Sequence, residues 1–190
     1  MNKEIAKDEK LYNHAEWIKQ VQEWKKEYPV MYKAVPEDKL VPQEVLEELD
    51  KIIKGNAIIT TDVGQHQMWA AQYLSYENPD HMITSGGAGT MGFGMPAAVG
   101  AQIAMPDKKV ISISGDGGFQ MTFQELMMLK QYNLPVKVII LNNSFLGMVR
   151  QWQEIFNEKR YSFVDLDHNP DFIKIGEAYG IKSVKIGNNK

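Results

Sequence analysis

Two short motifs in the chain carry groups suited to a hard cation. Gly115-Asp116-Gly117 follows the apolar run Val110-Ile111-Ser112-Ile113-Ser114, and Asn142-Asn143 follows Val136 to Leu141. If those runs are neighbouring strands, Asp116 and Asn143 reach one point above the sheet edge. A carboxylate oxygen and an amide oxygen suit Mg²⁺, which takes oxygen ligands at ~2.0–2.1 Å and usually keeps phosphate oxygens and water. Glycine-rich loops, of which Ser85-Gly-Gly-Ala-Gly-Thr-Met-Gly is the longest, could offer backbone N–H groups to a phosphate. There is no Gly-x-x-x-x-Gly-Lys, and no Lys or Arg lies between Gly55 and Asp107. A phosphorylated ligand bound here would therefore need a metal to supply positive charge. Ordinary turn residues could account for any one of these loops. With Thr60-Thr-Asp-Val-Gly-Gln-His66 after Ile59, four consecutive strand ends bear glycine, acid or amide, and together they argue for a site.

The elements that must position these groups alternate along the chain. Trp17, Val21 and Trp24 share a helical face between Tyr12 and Tyr28, and Pro29 stops that helix. Pro36 and Pro42 bracket a linker. Pro42 suits the first turn of a second helix, Gln43 to Lys54, with Val45, Leu46, Leu49, Ile52 and Ile53 as its apolar stripe. Strands are expected at Ala57–Thr60, His81–Thr84, Val110–Ser114, Val136–Leu141 and Ile181–Ile186. Helices are expected at Gln65–Leu74, Met95–Met105, Gly147–Asn157 and Pro170–Gly180. Thr122 followed by Glu125 reads as a capping box opening a helix to Tyr132. Alternating strands and helices with apolar strands define an α/β fold, a three-layer parallel sheet with helices on both faces. Residues 1–41 read as a helical arm and linker, and 42–190 as the domain. In such sheets ligands bind at the carboxyl ends of the strands.

Composition excludes several alternatives. The 190 residues suit one domain with an appendage. Lys plus Arg number 21 and Asp plus Glu 24, a net charge of −3, which argues against nucleic-acid binding by bulk positive charge. With no cysteine, a disulfide scaffold, a thiolate zinc site and a cysteine nucleophile are excluded together. The N-terminal residues are charged throughout and lack an apolar signal region. The uncharged stretch Thr84 to Pro106 is too rich in glycine for a lipid-spanning helix. A soluble cytoplasmic protein with no membrane partner is expected.

Gly115-Asp116-Gly117 with Asn142-Asn143 resembles the thiamine-diphosphate motif. Thr61-Asp-Val-Gly-Gln-His-Gln-Met-Trp-Ala-Ala-Gln72, Ser85 to Ala98 and Gly147-Met-Val-Arg-Gln-Trp-Gln153 are similar to the catalytic subunit of the acetohydroxyacid synthase (acetolactate synthase) family, in its C-terminal cofactor-binding domain. The likeness spans about residues 15–186. It implies Mg²⁺ on the side chains of Asp116 and Asn143 and the main-chain carbonyl of Phe145. It implies diphosphate contacts from Gln65 and His66, and an aminopyrimidine contact from the Gly89 backbone beside Thr90. Met91 would wedge the cofactor into its bent shape. Gly117, Gly118, Ser144, Leu146, Gly147 and Met148 would complete the cofactor shell. Met148 and Trp152 would line the substrate channel. The implied reaction is decarboxylation of pyruvate followed by addition to a second 2-oxo acid, such as another pyruvate or 2-oxobutanoate, in branched-chain amino acid biosynthesis. An apolar pocket would favour loss of the carboxylate charge.

The resemblance also implies what must come from elsewhere. The family activates its cofactor with a glutamate on a pyrimidine-binding domain supplied across a subunit interface, and residues 1–60 do not resemble that domain. No catalytic residue is therefore assigned within this chain. FAD is expected only in the full-length assembly, which is implied to be a homo- or hetero-oligomer with a possible regulatory subunit. Two other readings stand beside it: a split-subunit 2-oxo acid decarboxylase or oxidoreductase chain, and a non-catalytic cofactor-binding fragment. Bland roles remain open for single residues. His66 could cap a helix or satisfy a core hydrogen bond. Met91, Met95 and Met105 could be core packing. Trp17 and Trp24 read as docking residues of the arm, and Arg150 as a helix-surface charge rather than a contact to a substrate carboxylate. His14, His81 and His168 receive no role.

Overall fold

The structure, a computed structural model, describes residues 14–32 and 39–187. The chain divides into two compact units, Met1–Ala34 and Val35–Lys190. In the first, helix α1 spans Ala15–Glu27. Trp17 and Trp24, two turns apart, meet edge to face with ring centroids 5.5 Å apart. The expected start of this helix at Tyr12, and Pro36 of the linker, lie outside the described residues.

In the second unit Pro42 opens helix α2 (Pro42–Ile53), where its missing N–H costs no helical bond. Strand β1 is Ile58–Thr61, helix α3 Gln65–Tyr73, strand β2 Met82–Thr84 and helix α4 Gly94–Ala104. Strand β3 is Val110–Gly115, followed by α5 (Asp116–Thr122) and α6 (Leu126–Gln131). Strand β4 is Lys137–Leu141, then α7 (Gly147–Phe156) and α8 (Phe172–Ala178). The four strands are all parallel, in the order β2-β1-β3-β4.

Residue alternation builds the three layers. Side chains of a strand point to opposite faces in turn. Ile58 and Val110 join Met95, Ala98, Phe119 and Leu126 in the core on one face. Ile59, Ile111 and Ile113 join Leu46, Ile53, Ala70 and Leu74 on the other. Helices α2 and α3 therefore cover one face, and α4, α5 and α6 the other. Among the described residues no helix is long and apolar enough to cross a membrane.

Four expectations need correction. Ile181–Ile186 does not form a strand. The Ile181 N–H bonds the Gly176 carbonyl and turns the chain back on the end of α8, while Val184 and Ile186 stay exposed. The Thr122–Glu125 capping box is not formed; the Thr122 hydroxyl donates instead to the Gly92 carbonyl at 2.9 Å. The helix assigned to that cap is interrupted by a 3-10 turn at Phe123–Glu125, and helix starts earlier, at Asp116. Of the three methionines offered as core packing, Met95 is fully buried and Met91 is half-buried, but Met105 is 47% exposed at the end of α4.

Strand order sets where a ligand can sit. From β1 the chain moves to β2 on one side, then crosses to β3 on the other. The carboxyl ends of β1 and β3 therefore flank a topological switch point, the crevice where open parallel sheets bind ligands. The register pairs Thr61 with Ile113 and Gly115 with Leu141, so β3 and β4 end level and β1 ends two residues earlier at the same edge.

Candidate functional site

A cleft opens at that switch point. Gln65 and His66 enter it from the β1 loop, Met91 from the glycine loop, and Asp116, Gly117 and Gly118 from the start of α5. Asn143, Phe145, Leu146, Gly147 and Met148 complete it from the loop after β4. Eleven of the residues anticipated from sequence thus share one cavity. Gly89, Thr90, Ser144 and Trp152 do not line it. Gly89 and Thr90 form a turn closed on Ser85, which carries Met91 to the cleft. Ser144 adopts φ +60° and accepts the Leu166 N–H through its carbonyl. Trp152 is 59% exposed and packs on Phe156, centroids 5.1 Å apart. Val63, Trp69, Leu141 and Val149 line the cleft without having been anticipated.

Asp116 is buried at the first turn of α5, where a carboxylate is favoured by the helix dipole. Its Oδ2 accepts from Asn169 Nδ2 at 2.6 Å. Asn143 lies after the adjacent strand, and its Oδ1 accepts the Phe145 N–H at 3.0 Å, folding the loop so that Phe145 bridges Asp165. The Phe145 carbonyl takes no part in the two backbone bonds flanking that bridge, Leu146 N–H to Val164 and Leu166 N–H to Ser144. Asp116, Asn143 and Phe145 thus line one cleft. Among the described residues no group of three or more His, Asp or Glu could hold a metal alone. This set suits a cation that also takes ligand oxygens. Among the described residues Asp116 is the carboxylate lining the cleft itself, while Arg150 and Glu154 line an adjoining pocket that shares Gln65, Asn143, Phe145 and Gly147.

His66 sits between Gly64 and Gly115. A Cβ on either would fall 2.8–2.9 Å from its ring, and Gly64 also holds φ +150°. Burial lowers its pKa from 6.5 to about 4, against the opposing effects of the Asp62 charge and a hydrogen bond with the Asp62 backbone. The ring is neutral at pH 7, and its Nε2 has no hydrogen-bond partner. Because the folded ring resists protonation, the unfolded chain takes up the proton first as pH falls. Stability that is complete above pH ~6.5 is then lost as pH falls towards about 4. At ~1.4 kcal/mol per pKa unit the loss is of order 2–3 kcal/mol. Urea unfolding at pH 7 and pH 4.5 should show this decline in the wild type and a flatter one in His66→Gln. Equal slopes would mean that the ring is solvated.

Asp62 was not singled out, yet it organises the glycine loop. It is fully buried. Its carboxylate accepts the N–H of Val63 at 2.7 Å, of Gly92 at 3.0 Å and of Gly94 at 3.3 Å. The carbonyls of the same two glycines accept from Thr122 and Thr60. A Cβ on Gly118 would lie 2.5 Å from the Asp62 carboxylate, and one on Gly94 2.6 Å from its backbone N. Glycine at both positions lets α4 and α5 press against the end of β1. The signal was available: an acid directly after an apolar strand, as at Asp116. Asn169 had no such signal, lying 53 residues from Asp116. Arg150 stacks between the Phe145 and Tyr161 rings, 4.1 Å from each centroid, with Asp165 at 3.7 Å.

The site is thus a cleft at a switch point, with a buried acid and the first turns of α5 and α7 in its lining. Residues 62–190 match the family described as thiamine pyrophosphate enzyme, C-terminal TPP binding domain, and the chain belongs to that family. Within it, the chain is 53% identical over 175 residues to the acetolactate synthase large subunit of Lactococcus lactis, covering 92% of this chain and 30% of that protein. It is 48% identical over 190 residues to the mitochondrial acetolactate synthase catalytic subunit of Saccharomyces cerevisiae, covering 98% and 28%. A probable acetolactate synthase large subunit of Methanococcus aeolicus is 47% identical, with 98% and 32% covered. The chain thus spans about a third or less of the length of these relatives.

Proposed function

We propose that the chain is the cofactor-binding module of an acetolactate synthase, holding thiamine diphosphate through Mg²⁺ and acting with a pyrimidine-binding domain from elsewhere in the assembly. The observation that carries this reading is the buried Asp116 in one cleft with Asn143 and Phe145. The orphaned His66 Nε2 fits a site that expects further polar atoms. Asp116, Asn143 and the Phe145 carbonyl would hold Mg²⁺. The cofactor, when bound, supplies an electron sink for decarboxylating a 2-oxo acid. N–H groups at the first turns of α5 and α7 would orient the diphosphate, since such groups lack intrahelical partners. Met91 and Leu146, which close over Gly117, would exclude water from the reacting end. Pyruvate, with pyruvate or 2-oxobutanoate as the second 2-oxo acid, is the proposed substrate class. FAD belongs to that larger assembly and not to this cleft. A cytoplasmic location is part of the same reading, and cell fractionation tests it.

The test is acetolactate formation from pyruvate with thiamine diphosphate and Mg²⁺, with and without a co-expressed chain carrying the pyrimidine-binding domain. Product is expected only with the partner. No product in either case sinks the acetolactate synthase reading for this chain. In the same reconstituted complex, Trp152→Leu should alter the KM for the second 2-oxo acid or the inhibitor response several-fold, because this exposed ring lies one turn beyond Met148 on α7. Cofactor affinity should stay within about twofold of wild type. A large loss of cofactor affinity would place Trp152 in the cofactor shell instead.

A further inference from the structure

Asn169 joins the two strand ends that carry the metal-binding groups. Its Nδ2 donates to Asp116 Oδ2 at 2.6 Å and to Asn142 Oδ1 at 3.2 Å. Gln120 Nε2 donates to Asn169 Oδ1 at 2.8 Å and to the Asp116 carbonyl at 3.2 Å. The directions are forced. A carboxylate and a carbonyl can only accept, so both amides must present their NH₂ groups to Asp116, and the Asn169 oxygen must face Gln120. The result is a closed circuit that fixes both the rotamer and the orientation of Asn169. Its backbone is also held: the Asn169 N–H bonds the Leu166 carbonyl, Pro170 follows, and Asp171 caps α8 through the N–H groups of Ile173 and Lys174.

This circuit commits one oxygen of Asp116 to the protein. We propose that Asn169 is a positioning residue that holds Asp116 as a one-oxygen ligand and thereby favours Mg²⁺ over larger divalent cations. The proposal rests on the metal-site reading above. Mg²⁺ demands near-ideal octahedral geometry, which single-oxygen carboxylate ligands satisfy. Ca²⁺ accepts six to eight oxygens and tolerates a carboxylate binding through both. Tying Oδ2 to an amide leaves Oδ1 as the available oxygen, which suits the smaller ion. Partners that orient metal ligands typically contribute about 10–100-fold to metal affinity.

The test is calorimetric titration of the 190-residue chain, at saturating thiamine diphosphate, with Mg²⁺ and separately with Ca²⁺. The readout is the ratio of the Ca²⁺ Kd to the Mg²⁺ Kd. Asn169→Ala should weaken Mg²⁺ at least ~10-fold and lower the ratio by a similar factor. Gln120→Ala, which frees the amide without removing it, should shift the ratio the same way by a smaller factor. It carries the test if Asn169→Ala does not fold. Asp171→Ala, which loosens the same segment by removing the α8 cap, should leave the ratio unchanged. The proposal is overturned if the Asn169→Ala ratio stays within about twofold of wild type, or if Asp171→Ala shifts it equally. Failure of the wild type to bind either cation with the cofactor would instead defeat the metal-site reading itself.

Discussion

Asp116→Ala is expected to abolish Mg²⁺-dependent binding of thiamine diphosphate. Under calorimetric conditions that saturate the wild type, the variant should show no saturable heat, with Kd raised by at least ~100-fold, about 2.8 kcal/mol. The size follows from the electrostatics of the cleft. Asp116 is the carboxylate that lines it, and the oxygens of Asn143 and Phe145 are neutral. Removing the acid leaves a metal with no protein charge to offset its lost hydration. The fold should survive. Alanine forfeits a first-turn dipole interaction of about 0.3–1 kcal/mol and the Asn169 hydrogen bond, but it also removes a buried charge. Circular dichroism should therefore match the wild type. Asp116→Asn, which keeps the shape and loses the charge, should fall between the two. Undiminished affinity in the alanine variant would refute the metal assignment.

Asp62→Ala should have the largest effect on stability. The variant strands the N–H groups of Val63, Gly92 and Gly94 at the base of the cleft. Hydrogen bonds to a charged group contribute ~1.5–3 kcal/mol each, and buried donors left without partners cost further free energy. Part of this is recovered as water enters and the buried charge is lost. A net loss of about 3–4 kcal/mol is expected, read as a lower urea midpoint. Affinity for the cofactor should fall as well, because the loop that Asp62 pins carries Met91 into the cleft. A variant as stable as wild type would mean that Thr60 and Thr122 alone hold the glycine loop.

These two acids also mark what the sequence made legible. The apolar runs ending at Thr60, Ser114 and Leu141 are short, flanked by Gly, Asp and Asn, and too rich in β-branched residues for buried helices, so the strands and their functional ends could be read directly. The cleft followed because parallel strands place their carboxyl ends together. Helix α5 could not be read, since Gly117 and Gly118 are weak helix formers and their reasons, close approach to Leu146 and to Asp62, are tertiary facts. Thr122 matches a local capping pattern but is claimed by Gly92, thirty residues away. Ile181, Val184 and Ile186 suggested a strand, but Gly180, at φ +68°, turns the chain so that the Ile181 N–H meets the Gly176 carbonyl five residues back, a local signal that the apolar pattern masked. Asn169 lies in a polar loop, and only the folded sheet brings it to Asp116. For Thr122 and Asn169 the competing partner is remote in sequence.

The ladder that pairs Gly115 with Leu141 carries a consequence for the life of the protein in a cell. Asp116 and Asn143 lie within two residues of that pair, on strands joined by a long crossover. Parallel pairing of this kind is non-local and slow to form. A slip of one residue would turn the strand over and separate the two groups. Cofactor loading would then favour the correct register. A ligand that binds only the native state stabilises it by mass action, about 2.7 kcal/mol at a hundred times its Kd. The supply of vitamin and metal would then govern how long each newly made chain escapes proteolysis, as well as how fast it turns over substrate.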